Sequence, residues 1–410
     1  MLHRRALMGL GLATSAAGLA ACTAPGAPVV TTPSTASGST SAAASSTSTS
    51  AKPSQTTPAA TASDGAWGEP DVKLGDPIGD GSQAPSPDPQ PFQREIKKLA
   101  KGEKPPQFVV FSWDGVSGDE NRVQAYIKAA HEVQGTQTMF LSGLYFLPQS
   151  KKTEYHPPKR KPGASDIPYM SDLTVRRTIE NAAMAWKYGN EMGTHFNGHF
   201  DGGAKTWTSD DWEVELNEAI KLVTHWRTNT GWTDIDPLPF DYTKELVGAR
   251  TPLLAGAATL MPIAKKHGFR YDSSGVRKKG WPVKNSYGIY DMSMFAVPFR
   301  TGSSLPMDYN YYFTQAGGKN TGTPAQRATW QAEHLDSLRA GLKMCMSTNR
   351  APLIIGNHLS PWLGGIYQQN LLKLMTEFGK TPGVQLVSFR WLCDWLDAQD
   401  PEVLADLQKS

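Results

Sequence analysis

Along this 410-residue chain the hydrophobic pattern has two regimes. From Thr23 to about Gln90 there is almost no pattern. Ala, Ser, Thr, Pro and Gly dominate, and the run STASGSTSAAASSTSTS holds no charge and no large apolar residue. Such a segment cannot bury enough surface to offset the entropy of ordering, so residues 23–91 are predicted to be a disordered linker. A random coil of that length reaches about 45 Å. Over 92–410 the pattern changes, and short apolar runs alternate with stretches of helical spacing.

The run QFVVFSWD (107–114) follows two prolines and predicts a buried strand. ENRVQAYIKAAHEV predicts a helix, TQTMFLSG a second strand, and LTVRRTIENAAMAWKYG a helix capped by Gly189. NEMGTH is the third strand. Thr208 and Asp211 form a capping-box pattern ahead of the helix SDDWEVELNEAIKLVTHW. Helix then strand recurs in LLAGAATLMPIAKKHG with FRYDSS, and in RATWQAEHLDSLRAGLKMCM with PLIIGNH. VQLVSF and RWLCDWLDAQ close the chain. This alternation predicts an α/β domain with a parallel sheet, whose chemistry gathers at the C-terminal ends of the strands. Asp114, His195, Asp272 and His358 all fall at or just after a predicted strand end. Residues 148–169 and 301–323 are read as long loops. In the second, MDYNYYF offers tyrosines either to sugar rings or to the core. In the first, KKTEYHPPKRK is a basic stretch, read as a solvated loop or a contact for anionic polymers.

The N-terminus adds an address. MLHRRALMGLGLATSAAGLAAC has basic residues, then an apolar stretch too short and too rich in small residues to span a membrane. It ends in LAAC, which resembles a lipobox. Residues 1–22 are therefore predicted to be a lipoprotein signal with lipid attached at Cys22, placing the protein outside the cell, anchored to the outer face of a bacterial membrane and reaching into the wall. Cys345 and Cys393 remain, as buried free thiols or a single disulfide. With 41 basic and 38 acidic residues, net +3, no electrostatic case exists for a nucleic-acid partner. No Gly-x-Ser-x-Gly elbow and no phosphate-binding Gly-rich loop appears.

His195 and His199 are spaced to chelate a metal, a weak signal alone. In company it sharpens. FSWDG, GNEMGTHFNGH, RTP, YDSS and LIIGNH occur in the order of the motifs of the polysaccharide deacetylase family (NodB homology, carbohydrate esterase family four), and the chain resembles that family over about 106–400. The resemblance implies a distorted (β/α) barrel over 92–410, and a divalent metal, commonly zinc, on His195 and His199. It implies that the metal polarises an acetyl carbonyl and activates water. Asp114 would be the base, Arg250 would orient it, and His358 would protonate the departing amine.

Two motifs depart from the family pattern. The first usually carries two consecutive aspartates, base then metal ligand. Here Trp113, Asp114 and Gly115 stand there, so Asp114 is base or metal ligand, and Asp119 or Glu120 is a candidate for the missing oxygen. The fourth usually has Asp before Trp, tuning the acid histidine. Here Gly280 precedes Trp281, leaving Asp272 or Asp291 for that role. The expected function is metal-dependent removal of N-acetyl groups from an amino-sugar polysaccharide such as peptidoglycan or a chitin-like polymer. The alternative is a surface carbohydrate-binding lipoprotein that keeps the fold and has lost the chemistry. No protein partner is predicted.

Overall fold

The computed structural model describes residues 68–118, 121–203 and 205–409. The predicted signal, Cys22, the linker as far as residue 67, and Asp119 and Glu120 lie outside them.

Three strand–helix repeats open the domain: β1 (Gln107–Val116), α1 (Arg122–His131), β2 (Thr138–Leu141), α2 (Asp172–Lys187), β3 (Glu191–Thr194) and α3 (Ser209–Thr224). Short helices α4 (Trp226–Thr230) and α5 (Tyr242–Glu245) lead to β4 (Gly248–Ala249), α6 (Ala257–Lys266), β5 (Tyr271–Asp272) and β6 (Tyr290–Asp291). An antiparallel ribbon, β7 (Val297–Phe299) with β8 (Gly302–Ser304), precedes α7 (Asp308–Ala316) and α8 (Pro324–Met346). The chain ends with β9 (Leu353–Asn357), α9 (Ile366–Gly379), β10 (Val384–Leu386), α10 (Phe389–Ala398) and α11 (Pro401–Lys409).

All strands of the main sheet run parallel, in the order β9-β1-β2-β3-β4-β5-β6, as expected for a distorted (β/α) barrel. β10 pairs with the first part of β1, matching Gln107–Val109 to Val384–Leu386. Among the described residues no ladder joins β6 back to β9. At that seam the Gly356 amide donates to the Pro306 carbonyl at 2.9 Å, and side chains pack beside it: a Cβ on Gly356 would lie 2.7 Å from the Met307 methyl and 3.1 Å from the Met294 sulfur.

Side chains alternate with the strand period. Phe108 and Val110 of β1 join Phe140, Tyr271, Met292 and Ile354 in one buried cluster, the inside of the sheet. Val109, Phe111 and Trp113 join Met139, Leu141 and the helix residues Tyr126 and Ile179 in a second, the layer under the helices. Strands covered on both faces read as continuous apolar runs, which is why QFVVFSW is legible as a strand.

The predicted caps are present. Thr208 Oγ1 accepts from the Asp211 amide, and the Asp211 carboxylate accepts from the Thr208 amide at 2.6 Å. Gly189 follows the end of α2 with φ +79°, the left-handed conformation glycine adopts without a Cβ penalty. Cys345 and Cys393 are free and buried, in different clusters. No helix among the described residues is long and apolar enough to cross a membrane.

Two expectations need correction. The linker was predicted to run to residue 91, yet residues 78–86 already pack on the domain. The Ala84 and Ser86 amides donate to the carbonyls of Leu238 and Pro239, and Trp226 Nε1 donates to the Ser82 carbonyl at 2.7 Å. Each of these ties uses a backbone carbonyl as acceptor, which composition does not register. Residues 301–323 are not one loop, since they hold β8 and the whole of α7, closed by left-handed Gly317.

Replacing Thr208 with Ala should cost about 1 kcal/mol by removing the cap. Urea unfolding should show a lower midpoint with an unchanged slope.

Candidate active site

The inward alternation of β1 continues to Asp114, and neighbouring strands deliver His195, Arg250, Ser273 and His358 just past their C-terminal ends. Arg250 is fully buried, and its Nη1 donates to Asp114 Oδ1 at 2.7 Å. Its Nε and Nη2 donate to the Ser273 carbonyl and hydroxyl at 3.2 and 2.9 Å, and its guanidinium lies 4.9 Å over the Phe140 ring. Burial alone would raise the Asp114 carboxyl. Arg250 first, then His195 and His358, outweigh it and hold the group below the usual carboxylate range.

Trp113 points the other way. Its ring stacks on Tyr126 at 3.8 Å, and its Nε1 donates to Gln137 Oε1 at 2.6 Å. Gly115 sits at an irregularity in the β1–β2 register with φ +64°. Asp114 is thus the one carboxylate that the FSWDG run turns inward.

His195 Nδ1 is 2.7 Å from the Arg250 carbonyl, which makes it the donor nitrogen. Its Nε2 is buried and has no hydrogen-bond partner. The His199 ring lies 5.3 Å away, centroid to centroid. Burial drives both imidazoles down, His199 to about 3, so both are neutral at pH 7. A buried, unpartnered Nε2 on a ring whose other nitrogen is bonded to a carbonyl suits a metal ligand. Two neutral imidazoles therefore fit a divalent cation. Among the described residues, however, no group of three His, Cys, Asp or Glu assembles, and Asp114 is not gathered with the pair into such a set.

The backbone between the histidines is unusual. Phe196 and His199 have φ of +61° and +57°. Glu215 of α3, almost wholly buried, accepts from the amides of Asn197 (3.1 Å) and Gly198 (3.4 Å) and from Tyr155 Oη (2.8 Å). Burial raises its carboxyl to about 7.

His358 finds a partner that the sequence reading missed. Its Nδ1 lies 2.7 Å from Asp308 Oδ1, and its amide donates to Asp308 Oδ2 at 2.8 Å. Burial pulls the imidazole down, but the Asp308 charge and hydrogen bond outweigh it and leave a net rise. Asp308 stands first in α7, inside the stretch that the sequence reads as a loop. Neither residue considered for this role bonds His358: Asp272 accepts from Ser274 Oγ at 2.5 Å, and Asp291 accepts from the Ser293 amide. Trp281 is a core residue, donating to the Asn349 carbonyl and packing near Trp395. Of the three tyrosines in MDYNYYF, Tyr311 and Tyr312 are buried. Tyr309 is half-buried, 6.2 Å from His358, and Trp362 flanks the same ring at 5.3 Å.

A scan of the sequence against protein-family models finds no match, and a search of curated proteins finds none. Solved structures are similar at low identity. A candidate polysaccharide deacetylase from Mycobacterium smegmatis is 14% identical, covering 73% of this chain and 94% of its own, with a TM-score of 0.40. A family 4 carbohydrate esterase from Streptomyces lividans, in complex with acetate, is 11% identical, covering 70% and 93%, with a TM-score of 0.33. A carbohydrate esterase of the same family from Streptococcus mutans is 12% identical, covering 69% and 86%, with a TM-score of 0.39. The chain's own strand pairings define its fold.

Because folding raises the His358 pKa above 6.5, the His358–Asp308 pair contributes fully to stability below that pH, and the contribution is lost as pH rises through the folded value. His358 should titrate above 6.5 by NMR in the native protein. In Asp308→Asn the rise due to the Asp308 charge is removed, and His358 should titrate lower than in the native protein, with only the Asp114 charge left to oppose burial.

Proposed function

We propose that this protein is a metal-dependent hydrolase that removes N-acetyl groups from an amino-sugar polysaccharide of the cell envelope. The observation that carries the reading is the convergence, at one end of the parallel sheet, of an ionised carboxylate, two neutral histidines and a carboxylate-paired histidine. His195 and His199 would hold the cation, with zinc the first to test. A bound divalent cation polarises an acyl oxygen and lowers the pKa of water.

Asp114 accepts the proton of the attacking water, and Arg250 keeps it ionised and aimed. The water oxygen adds to the acetyl carbon. The C–N bond then breaks as His358, through Nε2, gives its proton to the sugar nitrogen. Asp308 holds Nδ1 and keeps that proton in place near neutral pH. The products are acetate and a free amine. The inward turn of Asp114 and its bond to Arg250 favour it as base. Attachment by lipid at Cys22 outside the cell, with the chain's polymer substrate in the wall, is part of the same proposal and rests on the LAAC run.

The second reading is sugar binding without turnover. Gly115, where the family carries a metal-ligating aspartate, and the two-histidine set favour it. Metal content and acetate release measured on one sample separate the two. The substrates are N-acetylglucosamine oligomers and peptidoglycan, with zinc, cobalt or manganese added. The hydrolase reading expects bound metal and acetate, both lost in His195→Ala. Asp114→Asn should keep the metal and lose at least 100-fold in rate. A native protein that binds these sugars yet releases no acetate with any of the three metals would establish the second reading.

A further inference from the structure

Glu215 is a buried carboxylate whose hydrogen-bond donors are Tyr155 Oη and the Asn197 and Gly198 amides. Burying a carboxylate without a countercharge is costly, and an apolar residue there would fold more cheaply. Its partners show where that cost is spent. Both amides lie between His195 and His199, in a segment bracketed by left-handed Phe196 and His199. Left-handed residues with a Cβ persist only where surroundings over-determine them. Here the surroundings do. Asn197 Nδ2 donates back to the Glu215 carbonyl at 2.8 Å, the Phe196 amide donates to Thr194 Oγ1 at 2.9 Å, and the Phe196 carbonyl accepts from the Gly143 amide at 2.8 Å.

Gly198 is held from both sides by the 148–169 segment. Its amide donates to Tyr155 Oη at 3.1 Å, and its carbonyl accepts from the Asp166 amide at 2.8 Å. A Cβ at this position would sit 2.5 Å from the Phe200 ring and 2.8 Å from Tyr155 Oη. The long stretch that sequence reads as a solvated loop is therefore built into the backbone of the histidine pair.

We propose that Glu215 and Tyr155 are positioning residues for His199. Their carboxylate and phenol fix the 196–199 backbone so that the second imidazole meets the first. The inference rests on reading His195 and His199 as a cation-binding pair.

The test uses the full chain and four variants: Glu215→Ala, Glu215→Gln, Tyr155→Phe, and Leu371→Ala as a distant core variant that lowers stability without touching this segment. Zinc affinity is measured by titration calorimetry. Amide exchange of the peptide spanning 195–199 is measured in chelator. Glu215→Ala should weaken zinc binding 10- to 100-fold. Glu215→Gln should recover most of it, because it keeps an oxygen for the two amides. Tyr155→Phe should fall between them, and Leu371→Ala should bind like the native chain. In chelator, exchange over 195–199 should rise in Glu215→Ala beyond its rise in Leu371→Ala. Native zinc affinity in Glu215→Ala overturns the proposal. If the native chain binds no zinc, the reading of the pair as a cation site fails, and the exchange arm decides alone: a selective rise supports the clamp and an equal rise overturns it.

Discussion

The buried Arg250–Asp114 ion pair is the interaction on which the rest of the site depends. Two charges are taken out of water at the end of the sheet, and their attraction offsets that cost only because the remaining guanidinium donors are met by Ser273 and the cation faces the Phe140 ring. Arg250 works with both halves of the residue. Its side chain ties β4 to β1 across the two intervening strands and sets the carboxylate's direction. Its carbonyl takes His195 Nδ1 and so decides which ring nitrogen is left bare. A single residue thereby aligns the acidic and the imidazole sides of the site.

The three histidines of the site share a low-dielectric setting and diverge because of one neighbour. Burial pushes all three toward the neutral form. For His195 and His199 nothing outweighs it, while for His358 the Asp308 carboxylate does. The result is two imidazoles shifted toward the neutral form and one shifted toward the charged form. Their environments shift the same residue type in opposite directions.

Much of the fold was legible in the sequence because a sheet covered on both faces writes itself as apolar runs. β1, β2, β3 and β9 fall where QFVVFSWD, TQTMFLSG, NEMGTH and PLIIGNH predict, and strand ends placed Asp114, His195 and His358 at one end of the sheet. What stayed hidden depends on tertiary partners. Asp308 falls in a stretch read as a loop, and only the fold brings it to His358, 50 residues further on. Glu215 lies in an amphipathic helix and looks like a solvent-facing acid until the chain folds over it. Residues 78–86 hold on through hydrogen bonds of their backbone and of small polar side chains, which leave no trace in the hydrophobic pattern. The roles of Asp119 and Glu120 lie outside the described residues.

The left-handed backbone between the two histidines also bears on how the HFNGH run tolerates change. A segment chosen for imidazoles alone would accept many residues at its middle positions. Here Gly198 has no room for a Cβ, and Phe196 and His199 occupy a conformation that most side chains resist. Asn197 is engaged through its backbone and its side chain. Stepwise substitution would therefore meet backbone geometry before it met chemistry. The five residues form one geometric unit with the parts of Glu215 and Tyr155 that face it.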